Sequence, residues 1–287
     1  MPQSLVINLV PEAAIPRKYL DSQSLKKLFF TLVSAVDTEL GRILQADSQN
    51  KSFTIGPLQV PDPQNDRLSS RKLKFFLPRN SAESQLQYQY AADIPSGVHC
   101  WWRISFLDDA LFDDLSYAWE KHLSRKSWFL GPARLHVTNL FYKNQQPLDW
   151  ANWQTYQQLY ESASDTRRDI HLQFMTPAVF RQGSYDSPLP TRDALFHSLR
   201  KRWNRFSGLV FAPSVVNPIV PGEFNIHTVL VETTQSKIVG CLGQIDFNIL
   251  GEVDQLTLKR INTLADFAFY AGVGRSNTHG MGITRRT

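Results

Sequence analysis

Apolar residues alternate or recur at helical spacing along most of the chain, and they predict two successive groups of strands and helices. In the first half, a short apolar run ended by Pro11 predicts a strand at 5–10, and alternating segments predict strands at 51–58, 98–106 and 133–142. Three- and four-residue spacings predict helices at 22–44 and 108–123. In the second half, the same patterns predict strands at 170–175, 226–233 and 237–249, and helices at 192–206 and 255–270. Each half therefore contains enough elements for a domain of its own.

The order of these elements favours an α+β fold. The first half has the order β-α-β-β-α-β, and the second half repeats a similar order without any sequence repeat of fixed short period. Residues 143–169 are polar with faint periodicity, so we place the domain joint there. The expectation is two tandem ferredoxin-like domains, at 1–150 and 151–287, with a hairpin turn at 234–236 in the second.

Glycines cluster after the last predicted helix. Gly272, Gly274, Gly280 and Gly282 bracket five hydrogen-bond donors, which are Arg275, Ser276, Asn277, Thr278 and His279. Glycine permits positive φ and close approach of the backbone to a ligand, and a run of exposed N–H groups beside an arginine makes an anion site. Arg285 and Arg286 follow, so the expected anion is a nucleic-acid backbone. The spacing fits neither a P-loop nor a dinucleotide fingerprint.

A second basic segment lies on the predicted helix at 192–206. Its cations include Arg192, Arg200 and Arg202, while Leu195 and Leu199 mark the buried face. Two interpretations stay open, phosphate contact and an ordinary solvated helix surface.

Composition narrows the classes of partner and compartment. The formal net charge of +5 and the pI near 9.2 favour a polyanionic partner. Cys100 and Cys241 are far apart within apolar segments, so we expect buried thiols rather than a disulfide or a zinc site. No histidine or carboxylate spacing indicates a metal or cofactor site. No signal segment or apolar run of membrane-spanning length is present, so we expect a soluble cytoplasmic protein.

Three segments of the second half resemble a known family. Residues 267–282, including Gly-Val-Gly-Arg-Ser-Asn-Thr-His-Gly-Met-Gly, are similar to the glycine-rich loop of the CRISPR-associated repeat-processing endoribonucleases, the sixth numbered Cas family of the RAMP superfamily. Residues 171–203 resemble the opening of that family's second domain, and residues 238–247 resemble the strand before its last helix. The resemblance implies the same tandem ferredoxin-like (RRM/RAMP-type) fold.

The resemblance also implies an activity and partners. It implies metal-independent cleavage of precursor crRNA at CRISPR repeats, by attack of a 2′-hydroxyl group that leaves a 2′,3′-cyclic phosphate. CRISPR repeat RNA would be the substrate, and subunits of an interference complex or a second copy of the chain would be further partners. RNA would be held by the glycine-rich loop, by Arg285 and by the basic helix at 192–206.

The active-site pattern of the resembled family is incomplete in this chain. Many members have a histidine at the end of the first helix, a lysine before the next strand and a tyrosine earlier on the helix. Here Gln45 stands in the histidine's place, Lys51 keeps the lysine's place and Phe30 falls near the tyrosine's. A glutamine cannot carry a proton near neutral pH.

Three interpretations stay open. Lys51 and Arg42 could drive cleavage electrostatically on a distorted RNA. A histidine from elsewhere, His279 first and His136 next, could transfer the protons. Cleavage could instead be lost while RNA binding is retained, which would make the chain a binding subunit of an effector complex.

Overall fold

The computed structural model of the protein describes residues 1–46, 52–60, 85–142, 150–232 and 237–287; within α3, the side chains of residues 109–114 are outside this description. The chain divides into two compact units. One unit comprises residues 3–153, and the other comprises residues 154–287 together with residues 1–2. We call them the first and second domains.

The first domain is an antiparallel sheet with helices between its strands. The strands are β1 (Gln3–Pro11), β2 (Phe53–Ile55), β3 (Cys100–Phe106), β4 (Trp128–Leu130), β5 (Ala133–Phe141) and β6 (Asn152–Trp153). The helices are α1 (Ser22–Ser34), α2 (Thr38–Ala46) and α3 (Asp109–His122). The strand order is β2-β3-β1-β5-β4, and β6 pairs with β1.

Buried apolar residues of β1 and helical spacing along α1 build the core of this domain. Leu5, Ile7 and Leu9 point to the same face of β1 and are buried. Phe29 of α1 is buried against this layer and stacks on Phe53 of β2, with 4.5 Å between ring centroids. These contacts fix α1 across the sheet.

The single helix predicted at 22–44 is wrong, because the structure has two. α1 ends at Ser34, and α2 begins at Thr38 after Asp37, whose carboxylate accepts a hydrogen bond from the Leu40 N–H group at 2.9 Å. An aspartate that accepts from a backbone N–H three residues on is a favoured start of a new helix. The apolar spacing continues through the break, so periodicity alone could not reveal it.

The second domain has a four-stranded antiparallel sheet and a separate hairpin. The strands are β7 (Asp169–Ala178), β8 (Phe180–Gln182), β9 (Tyr185–Ser187), β10 (Ile219–Glu232), β11 (Lys237–Ile249) and β12 (Thr284–Arg286). The helices are α4 (Tyr156–Ser162), α5 (Arg192–Phe206) and α6 (Gln255–Ala271). The sheet order is β10-β11-β7-β12, and β8 pairs with β9.

The helix α4 lies in the polar stretch where we predicted only a joint. Thr155 and Gln158 form a reciprocal capping box at its start, which satisfies two backbone N–H groups. Tyr156 is buried, and its ring meets that of Trp203 edge-on at 5.2 Å. The helix is seven residues long, so its apolar period was too short to detect.

Both sheets have the strand order of a β-α-β-β-α-β unit. In the first domain β1 lies between β3 and β5, and in the second domain β7 lies between β11 and β12. The predicted fold of two tandem ferredoxin-like domains is therefore confirmed.

The ends of β10 and β11 extend past the strand that supports them. In the pairing of β11 with β7, Cys241 lies opposite Ala178, the last residue of β7. Leu230 and Val239 are paired farther out and are 51% and 45% exposed. We call residues 229–232 and 237–240 the outer ribbon. The predicted turn at 234–236 lies outside the described residues.

Candidate nucleic-acid interface

The glycine-rich segment, residues 272–282, turns back on its own domain. Its four glycines all have positive φ, between 65° and 80°. A Cβ atom added at Gly274 would lie 2.2 Å from the Val179 carbonyl oxygen, and one at Gly282 would lie 2.0 Å from that of Val273. These two positions therefore need glycine because protein backbone passes close by.

The main-chain N–H groups of this segment also bond within the protein. Val273 N–H donates to Gly282 O at 2.8 Å, Arg275 N–H donates to Val179 O at 2.9 Å, and Gly282 N–H donates to Pro177 O at 2.9 Å. The prediction of a run of exposed N–H groups is wrong for these three residues. The physical reason is that the segment packs on the end of β7 and satisfies its donors there.

Asn277 closes the loop from inside. Its side-chain Nδ2 donates to Val273 O at 2.9 Å and to Met281 O at 3.0 Å. Ser276 before it has a φ of 63°, the one positive φ of a non-glycine residue in the described part of the chain. Such a conformation costs roughly 1 kcal/mol or more and persists because the surrounding bonds hold it.

The remaining loop residues are largely covered. Thr278 and Gly280 are buried, and His279 is half-buried. The His279 Nδ1 atom lies 3.3 Å from the Thr278 hydroxyl oxygen. The main-chain N–H group of His279 donates to Ser276 O at 2.8 Å. His279 belongs to the second domain, whereas Arg42 and Gln45 belong to the first.

Arg275 is the exposed cation of the loop. Its Nη1 donates to both carboxylate oxygens of Asp186, at 2.6 and 2.8 Å. Arg181 on β8 also donates to Asp186 Oδ1, at 3.2 Å. Desolvation acts to raise the pKa of Asp186, but the hydrogen bonds and charges of Arg275 and Arg181 outweigh it and hold that pKa below its ordinary value.

Arg285 and Arg286, near the C-terminus, differ in environment. Arg285 is half-buried on β12, opposite Gln173 of β7. Arg286 is 13% exposed and donates from Nη1 to Asp266 Oδ1 at 2.8 Å, while its Nη2 donates to Asn262 Oδ1. The expectation that Arg286 flanks an anion site is wrong, because its charge is neutralised inside the domain. Contact between Arg285 and RNA stays a prediction.

Three arginines of α5 donate to main-chain carbonyl oxygens. Arg192 Nη1 bonds to Asn217 O at 3.2 Å, Arg200 Nη1 to Phe211 O at 2.9 Å, and Arg202 Nη1 to Ala271 O. Arg202 Nη1 also lies 3.2 Å from Asn277 Oδ1. Burial lowers the pKa of the Arg202 guanidinium group to about 10. These contacts favour a structural role for the three guanidinium groups; their contact with RNA stays a prediction.

The presumed active-site region of the first domain is an exposed helix end. Arg42 donates from Nε and Nη2 to the two carboxylate oxygens of Glu39, at 2.9 and 2.6 Å. Hydrogen bonding to Arg42 holds the pKa of Glu39 below its ordinary value. Gln45 is exposed one turn after Arg42, in the last turn of α2. Lys51 lies outside the described residues.

The neighbouring aromatic position is closed off. Phe30 is half-buried, and its ring meets that of Phe53 edge-on at 6.1 Å. A phenyl ring offers no hydroxyl group for proton transfer. In the described part of the chain, no group of three or more His, Cys, Asp and Glu side chains is arranged to hold a metal ion. No described helix is long and apolar enough to cross a membrane.

Sequence reasoning missed three charged residues of these regions. Glu39 could have been found from its i, i+3 spacing to Arg42. Arg181 and Asp186 are brought to Arg275 from 94 and 89 positions away, respectively, so local patterns contain no signal for that contact.

Known proteins match both domains. Residues 1–161 match the CRISPR Cas6 N-terminal domain, and residues 172–284 match the CRISPR-associated endoribonuclease Cas6. No curated protein sequence matches the chain at a significant level.

Solved structures match over nearly the whole chain. A Cas6 product complex is 22% identical, with a TM-score of 0.74 and all of both chains covered. Thermus thermophilus Cas6 is 21% identical, with a TM-score of 0.69, covering 100% of this chain and 98% of its own. A RAMP protein binding different RNA substrates is 13% identical, with a TM-score of 0.59 and 99% of each chain covered. At these identities the structural likeness supports the fold.

Proposed function

Because the chain belongs to the family of CRISPR-associated Cas6 endoribonucleases, we propose that it binds CRISPR repeat RNA and cuts precursor crRNA without a metal ion. The observation that carries this proposal is the match to the family over both domains, at 1–161 and 172–284. The 2′-hydroxyl group beside the scissile phosphate attacks it, and the products are a 2′,3′-cyclic phosphate and a free 5′-hydroxyl.

The exposed end of α2 supplies the electrostatic part of this reaction. Arg42 presents a planar guanidinium group that matches phosphate oxygens, and its present partner Glu39 is also exposed. Surface ion pairs are weak, so a phosphate can displace the carboxylate. Lys51, five residues past the end of α2, is the second cation of this proposal. Both would stabilise the charge that develops on the phosphoryl oxygens.

Proton transfer is the weak step in this arrangement. The Gln45 amide can orient the attacking or leaving oxygen, but it cannot take up a proton near neutral pH. A positioned acid–base group typically contributes a factor of about 10²–10⁴ to a rate. The enzyme should therefore cleave slowly, with in-line positioning and charge stabilisation as its main sources of rate. His279 remains a candidate proton carrier.

A cleavage assay tests the proposal. Purified protein is incubated in single turnover with repeat RNA and excess EDTA, and the product ends are identified by mass. We expect a product that ends in a cyclic phosphate and a cleavage rate in EDTA equal to the rate without EDTA. We expect Arg42→Ala to slow cleavage by about tenfold or more. His279→Gln should leave the rate unchanged if Gln45 and the cations define the site, and should abolish it if His279 carries the proton.

Gln45→His is the matched gain-of-function variant. It returns a group that titrates near neutral pH to the helix end, so the rate should rise by about 10²-fold and acquire a pH dependence near 6.5. Gln45→Asn keeps an amide and should show neither change. A rate that is insensitive to histidine at this position would contradict the assignment of the helix end as the active site.

A second candidate function follows from the same residue. With Gln45 in place of an acid–base group, the chain would be a cleavage-deficient subunit that binds repeat RNA in an effector complex. It predicts bound but intact RNA in the assay above. Retention of RNA beside other interference-complex subunits, and assembly as a homodimer, also belong to this proposal. Light scattering with and without RNA measures whether a homodimer forms.

A further inference from the structure

Arg181, Asp186 and Arg275 form a charged cluster on the second domain. Arg181 and Asp186 are directly opposite each other in the β8–β9 hairpin, so their side chains lie on the same face. Arg275 joins them from the glycine-rich segment, and its Nη1 lies 2.6 and 2.8 Å from the two carboxylate oxygens. One carboxylate thus holds two guanidinium groups, which leaves a net charge of +1.

The cluster leaves donors facing solvent. Arg275 uses Nη1 for Asp186, and Arg181 uses Nε for Gly183 O and Nη1 for Asp186. Within the described part of the chain, Arg275 Nε and Nη2 and Arg181 Nη2 make no hydrogen bond. The two arginine side chains are 43% and 53% exposed, whereas Asp186 is 25% exposed. The anion is therefore the covered partner and the cations are the accessible ones.

The backbone behind Arg275 is fixed. Its N–H group bonds to Val179 O, and Gly274 packs so tightly on the same carbonyl that only glycine fits. Gly183 gives the hairpin its turn with a φ of 58°. Both guanidinium groups consequently start from ordered backbone, which reduces the entropy lost when they bind an anion.

We propose that this cluster binds one phosphodiester group of the RNA, and that Asp186 is a positioning residue that aims both arginines at it. Guanidinium groups pair with phosphate oxygens through charge-assisted hydrogen bonds, and the remaining donors suit that contact. Repulsion between Asp186 and the phosphate is screened because the cluster borders solvent. The proposal rests on the proposed function, since it concerns how the same RNA is held.

The test is the salt dependence of affinity for a repeat RNA made uncleavable by a 2′-deoxy nucleotide at the scissile position. Arg181→Ala and Arg275→Ala should each weaken binding and each lower the slope of log affinity against log salt by about one. Arg275→Lys keeps the charge and should keep the slope while losing affinity, because it lacks the planar fork.

The direction in which Asp186→Asn changes RNA affinity distinguishes a positioning role from a simple charge effect. Removing a negative charge near RNA should tighten binding if only net charge mattered, whereas a positioning role predicts binding weaker by about threefold to tenfold. In the Arg181→Ala/Arg275→Ala background, Asp186→Asn should then change nothing. Tighter binding on Asp186→Asn, or an equal loss in the double-variant background, overturns the positioning role.

A matched arginine controls for general charge. Arg168 lies just before β7, and Arg181 lies just after it, so a strand of ten residues, roughly 30 Å, separates them. Arg168→Gln should leave the salt slope unchanged; a drop equal to that of Arg275→Ala would contradict a defined phosphate site. Thermal melts of every variant establish that it is folded, and Asp186→Ser replaces Asp186→Asn if the latter is not.

The outcomes separate this site from the proposed function. If the wild-type protein does not bind repeat RNA, the proposed function fails and the site fails with it. If it binds repeat RNA but Arg181→Ala and Arg275→Ala both retain the wild-type slope, only the site is wrong.

Discussion

Gly282 shows why a glycine-rich segment can be required without touching a ligand. Its φ of 70° is unfavourable for other residues, and an added Cβ atom would lie 2.0 Å from the Val273 carbonyl oxygen. That oxygen belongs to main chain that is itself hydrogen-bonded, so it cannot move aside easily. At this residue the demand for glycine comes from the fold of the segment.

We expect Gly282→Ala to lower the free energy of unfolding by about 3–5 kcal/mol, from the strain of positive φ together with the clash. Gly251→Ala is the matched control, because Gly251 has a φ of 84° but nothing within 4 Å of its added Cβ. That variant should cost only about 1–2 kcal/mol. Chemical denaturation measures both; equal losses would show that the contact with Val273 is unimportant.

Single residues also mark the limit of the sequence prediction. The glycine-rich loop at 272–282 was readable because it depends on residue type and local order. The pairing of Arg275 with Asp186 was not readable, since it depends on a tertiary contact between a loop and a hairpin. Burial of Arg286 was hidden for the same reason.

The short strand β12 pairs with β7, and it is also held to its domain by an ion pair and by the amide of Asn262. Arg286 on β12 meets Asp266 on α6, and both side chains are largely buried. Burial raises the pKa of Asp266, and the charge and hydrogen bond of Arg286 act against that rise. Arg286 of β12 therefore neutralises the Asp266 carboxylate of α6.

We expect Arg286→Ala to lower the free energy of unfolding at pH 7 by about 3 kcal/mol, because it leaves a buried carboxylate without its partner. An acid whose pKa is raised by folding binds its proton more tightly in the folded state, so stability falls as pH rises from its ordinary value through the raised value. The variant removes the opposing effect of Arg286, so this fall should become larger.

Urea denaturation at pH 4 and pH 7 measures this difference. The loss on Arg286→Ala should be smaller at pH 4, where Asp266 takes up its proton. Arg285→Ala, the neighbouring change on β12, should show no such pH dependence. A loss that is the same at both pH values would mean that Asp266 is not the group left unpaired.

Among the elements, some long periodic segments were predicted well and others were not, since β10 begins at Ile219 and not at residue 226 as predicted. The bounds predicted for α5 and β11 agree with the structure because their apolar pattern runs over more than ten residues. The break between α1 and α2 depends on the side chain of Asp37, and α4 depends on a capping box. Capping is encoded by one or two residues, which periodicity does not detect.

The whole molecule contains one buried thiol in each domain. Cys100 lies on β3 and Cys241 on β11, and burial raises the pKa of each thiol to about 12. At pH 8 roughly one thiol in 10⁴ would then be ionised, which makes both nearly inert toward alkylating reagents. Each thiol therefore reports on the opening of its own domain.

We expect both cysteines to resist iodoacetamide in native buffer at pH 8 and to react once their domains unfold. Labelling over a urea series, with peptide mass spectrometry, should give one transition per domain. Cys100→Ser and Cys241→Ser identify which signal belongs to which thiol. Rapid labelling of either cysteine in native buffer would contradict its burial.

At the scale of the whole chain, the repeated order of elements was enough to predict two ferredoxin-like domains. That prediction succeeded because each domain alternates strands and helices in a pattern set by core burial. The candidate site was less predictable, since its charges come from residues that the fold brings together. The family resemblance supplied the proposed substrate, which no pattern of burial could.

The outer ribbon has a practical consequence for anyone who concentrates the protein. Leu230 and Val239 lie opposite each other on strands that extend beyond β7, and both side chains are exposed. Exposed apolar strands tend to pair with strands of other chains. Storage at high concentration should therefore favour aggregation. Leu230→Thr and Val239→Thr should reduce it in crystallisation trials.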